Sequence, residues 1–263
     1  MQVPISTIGK QILANAYMVW KEAARDKSFF VLAVVGVLLE LFSVFLGNMA
    51  VGGEDRILQN MGFWVMSIWG PITIMYLGSN LVNKELKDKT AYLILSRPIS
   101  RSVYLFGKYI GLLMCLLSIF AVLVAVWLLL LFSFQVGFTM QHAIAILFLF
   151  GEWMLLAAVS LFFNVFTTPV LHNFFLLGIY VLGHMSKELY DYAQITKSIF
   201  LQKILVVIYY VLPNLEIFNF KKAALYSQPI DTAAILYAVF ILIGWIVAFN
   251  LASFLIFRFA KLK

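Results

Sequence analysis

Two acidic residues lie inside long apolar runs of this sequence, where a charge is costly. Glu40 stands near the middle of the run 29–49, and Glu152 stands near the middle of the run 141–166. A central acidic residue in a membrane-spanning helix costs roughly 2.5 to 3.5 kcal/mol on insertion scales, so each carboxyl should face protein or water. Two interpretations stay open for each residue: a substrate route or proton relay, and a structural hydrogen bond to a neighbouring helix.

Pro71 is the third candidate for a pathway through the membrane, since it follows Gly70 inside the apolar run 61–82. A proline within a helix leaves one carbonyl oxygen without its usual donor and bends the helix. Such a bend can serve as the hinge of a gate, although static kinks are commoner. Both interpretations stay open on the sequence.

Metal and thiol chemistry have little support in the sequence. The three histidines are too far apart to form a ligand motif, so we interpret them as ordinary polar contacts and expect no metal site. The single cysteine stands within an apolar run, which excludes a disulfide framework. These residues are His142, His172, His184 and Cys115.

The chain that must position these residues has the composition of a membrane protein. Of its 263 residues, 63% are apolar and 12% are charged, whereas soluble domains are about half apolar and about a quarter charged. A bilayer core about 30 Å thick needs ~20 helical residues, and backbone groups inside it must bond within the helix. We therefore predict an all-α, polytopic membrane protein with one transmembrane domain over residues 1–263. The six predicted spans are 29–49, 61–82, 104–134, 141–166, 169–186 and 233–257.

Lysine and arginine residues are divided unevenly between the two sides of this six-span scheme. With the N-terminus inside, the cytoplasmic segments hold thirteen of them and the outer segments hold six. Five of those six lie in the long segment 187–232, where charge bias matters less. Both termini are therefore predicted to be cytoplasmic. The apolar part of 187–232 is cut short by Pro213, so we predict helices at the outer membrane interface and no further span there.

Two other segments are predicted to lie on the cytoplasmic membrane surface. On a helical wheel, the apolar side chains of residues 1–28 fall on one face, which is typical of an interfacial amphipathic helix. The segment 83–101 is the densest charge cluster and turns apolar at Ala91, which predicts a short surface helix. Ser100 is placed to cap the helix that becomes the third span. The surface helix either fits a groove of a soluble protein or is a solvated loop with no partner.

The segment 83–101 and its continuation resemble a loop of the permease subunits of ABC-2 type transporters. In that family the loop carries a Glu, a Thr, an apolar stretch and the motif Leu-Ser-(Arg/Lys)-Pro-x-Ser-Arg, then a Tyr and a Gly-Lys pair. The matching residues are Glu85, Thr90, Leu95, Ser96, Arg97, Pro98, Ser100, Arg101, Tyr104, Gly107 and Lys108. Lys89 departs from the pattern, since many members have Gly there. The stretch 209–221 is similar to the branch that includes the permease for copper-site maturation of nitrous-oxide reductase.

The resemblance implies the membrane subunit of an ATP-driven exporter in the plasma (inner) membrane of a prokaryote, in contact with membrane lipids. Such permeases pair with a second, identical or related copy and dock separate ATPase subunits through the loop helix; extracytoplasmic accessory proteins are further candidate partners. The coupling role falls on Glu85, Lys87, Thr90, Leu95, Ser96, Arg97, Pro98, Ser100 and Arg101. ATP and Mg²⁺ would be held by the partner and no cofactor by this chain, because the sequence lacks the phosphate motif G-x-x-x-x-G-K-[ST].

Two other classes of function are alternatives. A membrane-embedded enzyme acting on lipid would need metal-binding residues near an interface. The only candidate pairs, Glu54 with Asp55 and Glu188 with Asp191, show no ligand motif. A scaffold that anchors an ATPase without moving a substrate is the other alternative. The net charge of +7 does not indicate a nucleic-acid partner, because the basic residues stand in short segments between apolar runs.

Overall fold

Helices make up almost all of the computed structural model, which describes residues 5–49, 53–79, 81, 100–196 and 198–259. No strand occurs in these ranges, and the all-α prediction is confirmed. The elements are α1 (Ile5–Arg25), α2 (Lys27–Asn48), α3 (Glu54–Gly78), α4 (Arg101–Ser133), α5 (Met140–Asn164), α6 (Pro169–His184), α7 (Ser186–Ile195), α8 (Ile199–Val211), a 3-10 turn (Leu215–Phe218), α9 (Lys221–Leu225) and α10 (Thr232–Phe259).

Five of these helices, namely α2, α3, α4, α5 and α10, are long and apolar enough to cross a membrane. They match five predicted spans closely, except that α3 begins well before the predicted residue 61. The remaining prediction, 169–186, corresponds to the apolar helix α6 of 16 residues. At 1.5 Å per residue α6 is about 24 Å long, so the bilayer must thin locally if α6 crosses it. The chain is a multi-pass, all-helical membrane protein.

Contacts between helix ends define two faces of the bundle. At one of them, the terminal face, Arg101 Nη1 donates to the carbonyl oxygens of Phe257 and Arg258 at 3.2 and 3.0 Å. Helix α4 therefore begins where α10 ends. Helix α1 joins this face, because Asn15 Nδ2 donates to the Tyr104 carbonyl oxygen at 2.9 Å. Helix α1 and the end of α10 thus lie on the same side of the bundle.

The opposite face carries the segment between α6 and α10. Helices α7 and α8 form a hairpin, in which the rings of Tyr190 and Tyr209 are 4.7 Å apart. Leu215 then packs against Gly183 at the end of α6. The bent pair formed by α8 and residues 215–225 is long enough to span a membrane, with a bend of 46°. The hairpin thus leaves the bundle at the end of α6 and returns to it there before α10 begins, and the absence of a span in 187–232 stays a prediction.

Helix α1 packs closely on the first turns of α4. A Cβ atom on Gly111 would lie only 2.6 Å from the Val19 Cβ atom, so the approach requires a glycine at this position. Trp20 Nε1 also donates to Ser118 Oγ at 3.0 Å. Small residues allow such close contact between membrane helices. Helix α1 is thereby fixed to the helix that follows the segment 83–101.

Three tryptophans join neighbouring helices to α3 in the same way. Each indole covers a glycine and donates its N–H to the carbonyl oxygen four residues before that glycine. The pairs are Trp69 over Gly36 with Leu32 at 2.9 Å, Trp153 over Gly70 with Met66 at 3.1 Å, and Trp127 over Gly62 with Leu58 at 3.3 Å. A side chain at any of these glycines would occupy the position of the indole ring. These contacts hold α2, α5 and α4 against α3.

The predicted helix caps have mixed outcomes. The Ser100 hydroxyl accepts a hydrogen bond from the Val103 backbone N–H at 3.4 Å, which confirms the predicted cap of α4. Thr168 followed by Pro169 predicts the start of the fifth span, because the hydroxyl can cap the helix and proline fits its first turn. Pro169 is the first residue of α6, as predicted, but the predicted hydroxyl cap is wrong, because Thr168 makes no side-chain capping bond. Its backbone carbonyl accepts the first helical hydrogen bond, from the His172 N–H at 2.9 Å, as the carbonyl of an N-cap residue ordinarily does.

Candidate functional site

Glu152 lies in a polar cluster at the side of the bundle near the opposite face. Its Oε1 atom accepts a hydrogen bond from His184 Nε2 at 3.0 Å, which joins the middle of α5 to the end of α6. The side chain of Glu152 is 2% exposed and that of His184 is 22% exposed. A carboxyl and an imidazole at this distance can exchange a proton. Their removal from water also strengthens the attraction between them, so the bond serves structure as well.

Glu216 lies on the other side of the His184 ring. Its Oε2 atom is 3.9 Å from His184 Nδ1, and Asn219 Nδ2 donates to both Glu216 oxygens at 3.0 and 3.1 Å. Burial raises the pKa of the Glu216 carboxyl, but His184 and Asn219 lower it by more, so the pKa lies below its ordinary value of 4.5. A lowered carboxyl pKa stabilises the fold above that ordinary value, and the contribution is lost as the pH falls through the lowered pKa.

Lys221 adds an ammonium group to the cluster. Burial lowers the pKa of Lys221, although the carboxyls of Glu152 and Glu216 act in the opposite direction. We call the group Glu152, His184, Glu216, Asn219 and Lys221 the polar cluster. It joins α5 and α6 to the 3-10 turn and α9, so it fastens the outer segment to two membrane helices. Its charged groups can bind an ion or move a proton along the ring of His184.

Pro71 is connected to the polar cluster through Tyr180. Because Pro71 has no N–H, the Ser67 carbonyl oxygen lacks its helical donor, and the Tyr180 hydroxyl donates to it at 3.3 Å. The Tyr180 ring stands edge-on to the His184 ring, with centroids 4.7 Å apart. The structure therefore brings together two of the three residues that the sequence assigns to a pathway, Glu152 and Pro71.

We expect Tyr180→Phe to destabilise the protein by about 1 to 3 kcal/mol, because the Ser67 carbonyl loses its replacement donor. Pro71→Ala restores the N–H at position 71 and should remove most of that cost, so the two substitutions should be strongly non-additive. Thermal unfolding of both single variants and the double variant in detergent measures the coupling. Tyr237→Phe, at an exposed site on α10, is the control. Additive effects would show that the tyrosine does not replace the missing donor.

Glu40 stands apart from the polar cluster. It shares a buried face of α2 with Gly36, Ser43 and Gly47, and its side chain is fully buried. Gly36 contacts Trp69 of α3, so this face points into the bundle. Among the described residues, neither carboxyl oxygen of Glu40 has a hydrogen-bond partner. A buried polar group without a partner is destabilising. Stability alone thus gives no reason for an acid at this position.

The other two histidines hold helix ends together. His142 Nδ1 accepts from the Thr139 N–H at 3.1 Å, and His142 Nε2 lies 3.1 Å from Gln59 Oε1. His172 Nε2 lies 2.8 Å from Ser160 Oγ, which joins α6 to α5 near the terminal face. Within the described ranges, no group of three His, Cys, Asp or Glu side chains is arranged to hold a metal ion.

The residues assigned to ATPase coupling fall into two groups. Seven lie outside the described residues, and the other two, Ser100 and Arg101, lie at the terminal face. Because Ser100 caps α4 and Arg101 binds the end of α10, a displacement of this point would reach both helices. The seven residues outside the described ranges are Glu85, Lys87, Thr90, Leu95, Ser96, Arg97 and Pro98.

Comparison with known families decides the class of this protein. A family described as "ABC-2 family transporter protein" matches residues 23–190, which is more than half of the chain and contains α2 to α6. The chain belongs to the ABC-2 family of transporter proteins. The resemblance found in the segment 83–101 is thereby confirmed, and the ABC-2 protein is a transport subunit rather than an enzyme. No curated protein matches the sequence.

The branch within the ABC-2 family stays a prediction. The family match ends at residue 190, before the stretch 209–221 that carries the similarity to the nitrous-oxide-reductase branch. The match therefore supports an ABC-2 transporter in general.

Of the five residues of the polar cluster in this ABC-2 protein, only Glu152 is singled out from the sequence. His184 is interpreted as an ordinary contact, and Tyr180 and Glu216 are not singled out at all. One signal was present, because an acid in mid-span needs a polar partner and His184 stands at the end of the next apolar run. Nothing in the sequence pattern indicated that Glu216 folds back to the same histidine.

Proposed function

We propose that this chain is the membrane permease of an ATP-driven exporter, which moves a substrate across the membrane or extracts it from the membrane. The observation that carries the proposal is the family match, because it runs through the segment 83–101 that the resemblance assigns to ATPase docking. The sequence has no phosphate-binding motif of its own, so ATP and Mg²⁺ belong to a separate ATPase subunit.

In this proposal the terminal face is cytoplasmic and receives the ATPase. The segments assigned to that side hold thirteen of the nineteen lysines and arginines, in agreement with the positive-inside rule. Movement of the ATPase would pull on the segment 83–101 and reach α4 through Ser100 and α10 through Arg101. Helix α1 would follow α4, because Gly111 lets it pack closely against that helix.

The substrate pathway would lie beside Glu40, Glu152 and Pro71, with a second permease copy forming its other wall. The polar cluster would hold the outer end of this pathway closed until the helices rearrange. Accessory proteins, where present, would bind the opposite face. The location would be the plasma membrane of a prokaryote.

Co-purification of the permease with a soluble ATPase of the same cell tests this proposal. We expect Glu85→Lys to weaken ATPase binding about tenfold, equivalent to about 1.4 kcal/mol, because it reverses a charge within the docking segment. Glu188→Lys makes the same change at an exposed site on α7 at the opposite face and should have no effect. A well-folded permease that recruits no ATPase, or equal loss of binding in both variants, would refute the docking role.

A further inference from the structure

An apolar groove lies at the terminal face between α1, the start of α4 and the second half of α10, with Leu161 of α5 also in its wall. Its volume is about 540 Å³, and its walls include Ile12, Phe106, Val247 and Leu251. This volume is within the range of sites that bind small molecules, about 300 to 1,000 Å³. The groove is distinct from the polar cluster, which lies near the other end of the helices.

The polar side chains in the groove have their donors occupied elsewhere. The Tyr109 hydroxyl donates to the Met154 carbonyl at 3.1 Å, and Asn250 Nδ2 donates to the Ile246 carbonyl at 2.8 Å. The interior therefore offers mainly apolar contacts to an occupant. An acyl chain fits such a wall, whereas a polar solute would lose hydrogen bonds to water without replacing them.

The groove opens sideways toward lipid. Val247 and Leu251 are about half exposed, and they belong to a row of exposed apolar residues that runs along α10. This helix is among those long and apolar enough to cross a membrane, and an exposed apolar row on such a helix is suited to contact with the hydrocarbon region. The lining continues to Phe254, one turn from Arg258 in the last turn of α10. One end of the groove is thus at headgroup level and the other is within the hydrocarbon.

Three of the helices that line the groove, α1, α4 and α10, carry a cation beside their lining residues. Lys10 stands on α1 between Ile8 and Ile12, Arg101 precedes the lining residue Ser102, and Arg258 follows Phe254. Lys10 and Arg258 are exposed, and Arg101 ties α4 to α10. Helices α4 and α10 contain no acidic residue, and the one acidic residue of α1, Glu22, stands ten residues beyond the lining residue Ile12. The rim is therefore complementary to an anionic headgroup.

We propose that this groove binds one acyl chain of an anionic phospholipid, with the headgroup at the rim formed by Lys10 and Arg258. The bound lipid would fasten α1 to α10 and is separate from any transported substrate. Only the choice of membrane leaflet rests on the proposed function. If the terminal face is cytoplasmic, the lipid belongs to the cytoplasmic leaflet.

Native mass spectrometry of the full-length permease in detergent, without ATPase, tests the lipid site. Phosphatidylglycerol and phosphatidylcholine with identical acyl chains are the probes. We expect one phosphatidylglycerol per chain to be retained at least tenfold more tightly than phosphatidylcholine. Phosphatidylglycerol should also raise the melting temperature more, because a ligand of the folded state stabilises it. Equal retention and equal stabilisation by the two lipids would overturn the proposal.

Two variants locate the lipid on the protein. Val247→Trp fills the groove and should lower the retention of phosphatidylglycerol about tenfold. Leu236→Trp is the control, because Leu236 is an exposed residue nearer the start of α10 and outside the groove, so lipid retention should be unchanged. The double variant Lys10→Gln/Arg258→Gln should lose the preference for the anionic lipid. Unchanged lipid binding in a folded Val247→Trp protein would place the lipid elsewhere and overturn the proposal. The ATPase plays no part in this assay, so failure here leaves the proposed transport function untouched.

Discussion

Glu152→Ala is expected to destabilise the closed arrangement of α5 and α6 by about 2 to 3 kcal/mol, because it leaves the His184 imidazole without its carboxyl partner. That energy corresponds to a change of roughly 30- to 150-fold in an equilibrium between two arrangements. If the polar cluster keeps the outer end of the pathway closed, loss of that arrangement should slow the ATP hydrolysis that accompanies transport. We expect the hydrolysis rate of proteoliposomes that contain the permease and its ATPase to fall by a similar factor.

A graded set of variants separates the charge of Glu152 from its hydrogen bond. Glu152→Gln keeps an oxygen that can accept from His184 Nε2 but removes the exchangeable proton. Glu54→Gln makes the same change at an exposed site at the start of α3 and serves as the control. A proton relay predicts that Glu152→Gln impairs hydrolysis as strongly as Glu152→Ala. Normal hydrolysis in Glu152→Gln, with loss only in Glu152→Ala, would assign Glu152 a structural role.

Glu40→Met is expected to raise the stability of the protein and to abolish its transport activity. The side chain is fully buried and has no hydrogen-bond partner among the described residues, so removal of its carboxyl breaks no hydrogen bond with them. Replacement of an unpaired buried polar group by an apolar one of similar length should stabilise the fold by about 1 to 3 kcal/mol. Thermal unfolding and the hydrolysis rate in proteoliposomes measure the two effects on the same preparation.

The controls for Glu40 use the same face of α2. Ser43→Ala removes a neighbouring hydroxyl that donates only to the Glu40 backbone carbonyl at 2.5 Å, and it should leave activity unchanged. Glu40→Gln keeps a polar side chain without its proton equilibrium and should lose activity without gaining the stability of Glu40→Met. A Glu40→Met protein that is less stable than the wild type would mean that the carboxyl has a partner the fold depends on. Full activity in that variant would exclude a pathway role.

The spans are predictable from the sequence because the bilayer imposes length and apolarity on each of them. The predicted run 104–134 and the helix Arg101–Ser133 differ by only a few residues, and Ser100 caps that helix as its position predicts. Helix length and helix capping are predictable because they depend on residues that are close together in the sequence. The Thr168 hydroxyl makes no capping bond, although its residue stands at the N-cap position and its backbone carbonyl accepts the first helical hydrogen bond.

The polar cluster could not be predicted, because it depends on how separate helices are rotated against one another. Glu152 and His184 stand on different helices, and Glu216 returns to them only through the hairpin of α7 and α8. The Tyr180 bond to Ser67 likewise follows from the missing N–H of Pro71, but the sequence does not say which donor will replace it. Helix periodicity predicts which face of each helix is buried, but it does not predict which residue of the neighbouring helix that face contacts.

The three indoles that cover glycines of α2 and α3 limit how the transporter can change shape. Each indole N–H can reach a backbone carbonyl only because a glycine leaves room for the ring. Rotation or sliding of α3 would therefore break all three hydrogen bonds at once. We therefore expect helices α2, α3, α4 and α5 to move together as one rigid body. The change between inward-open and outward-open forms would then involve α6 and α10, which make no indole–glycine contact of this kind within the described ranges and whose exposed surfaces would face lipid or a second subunit.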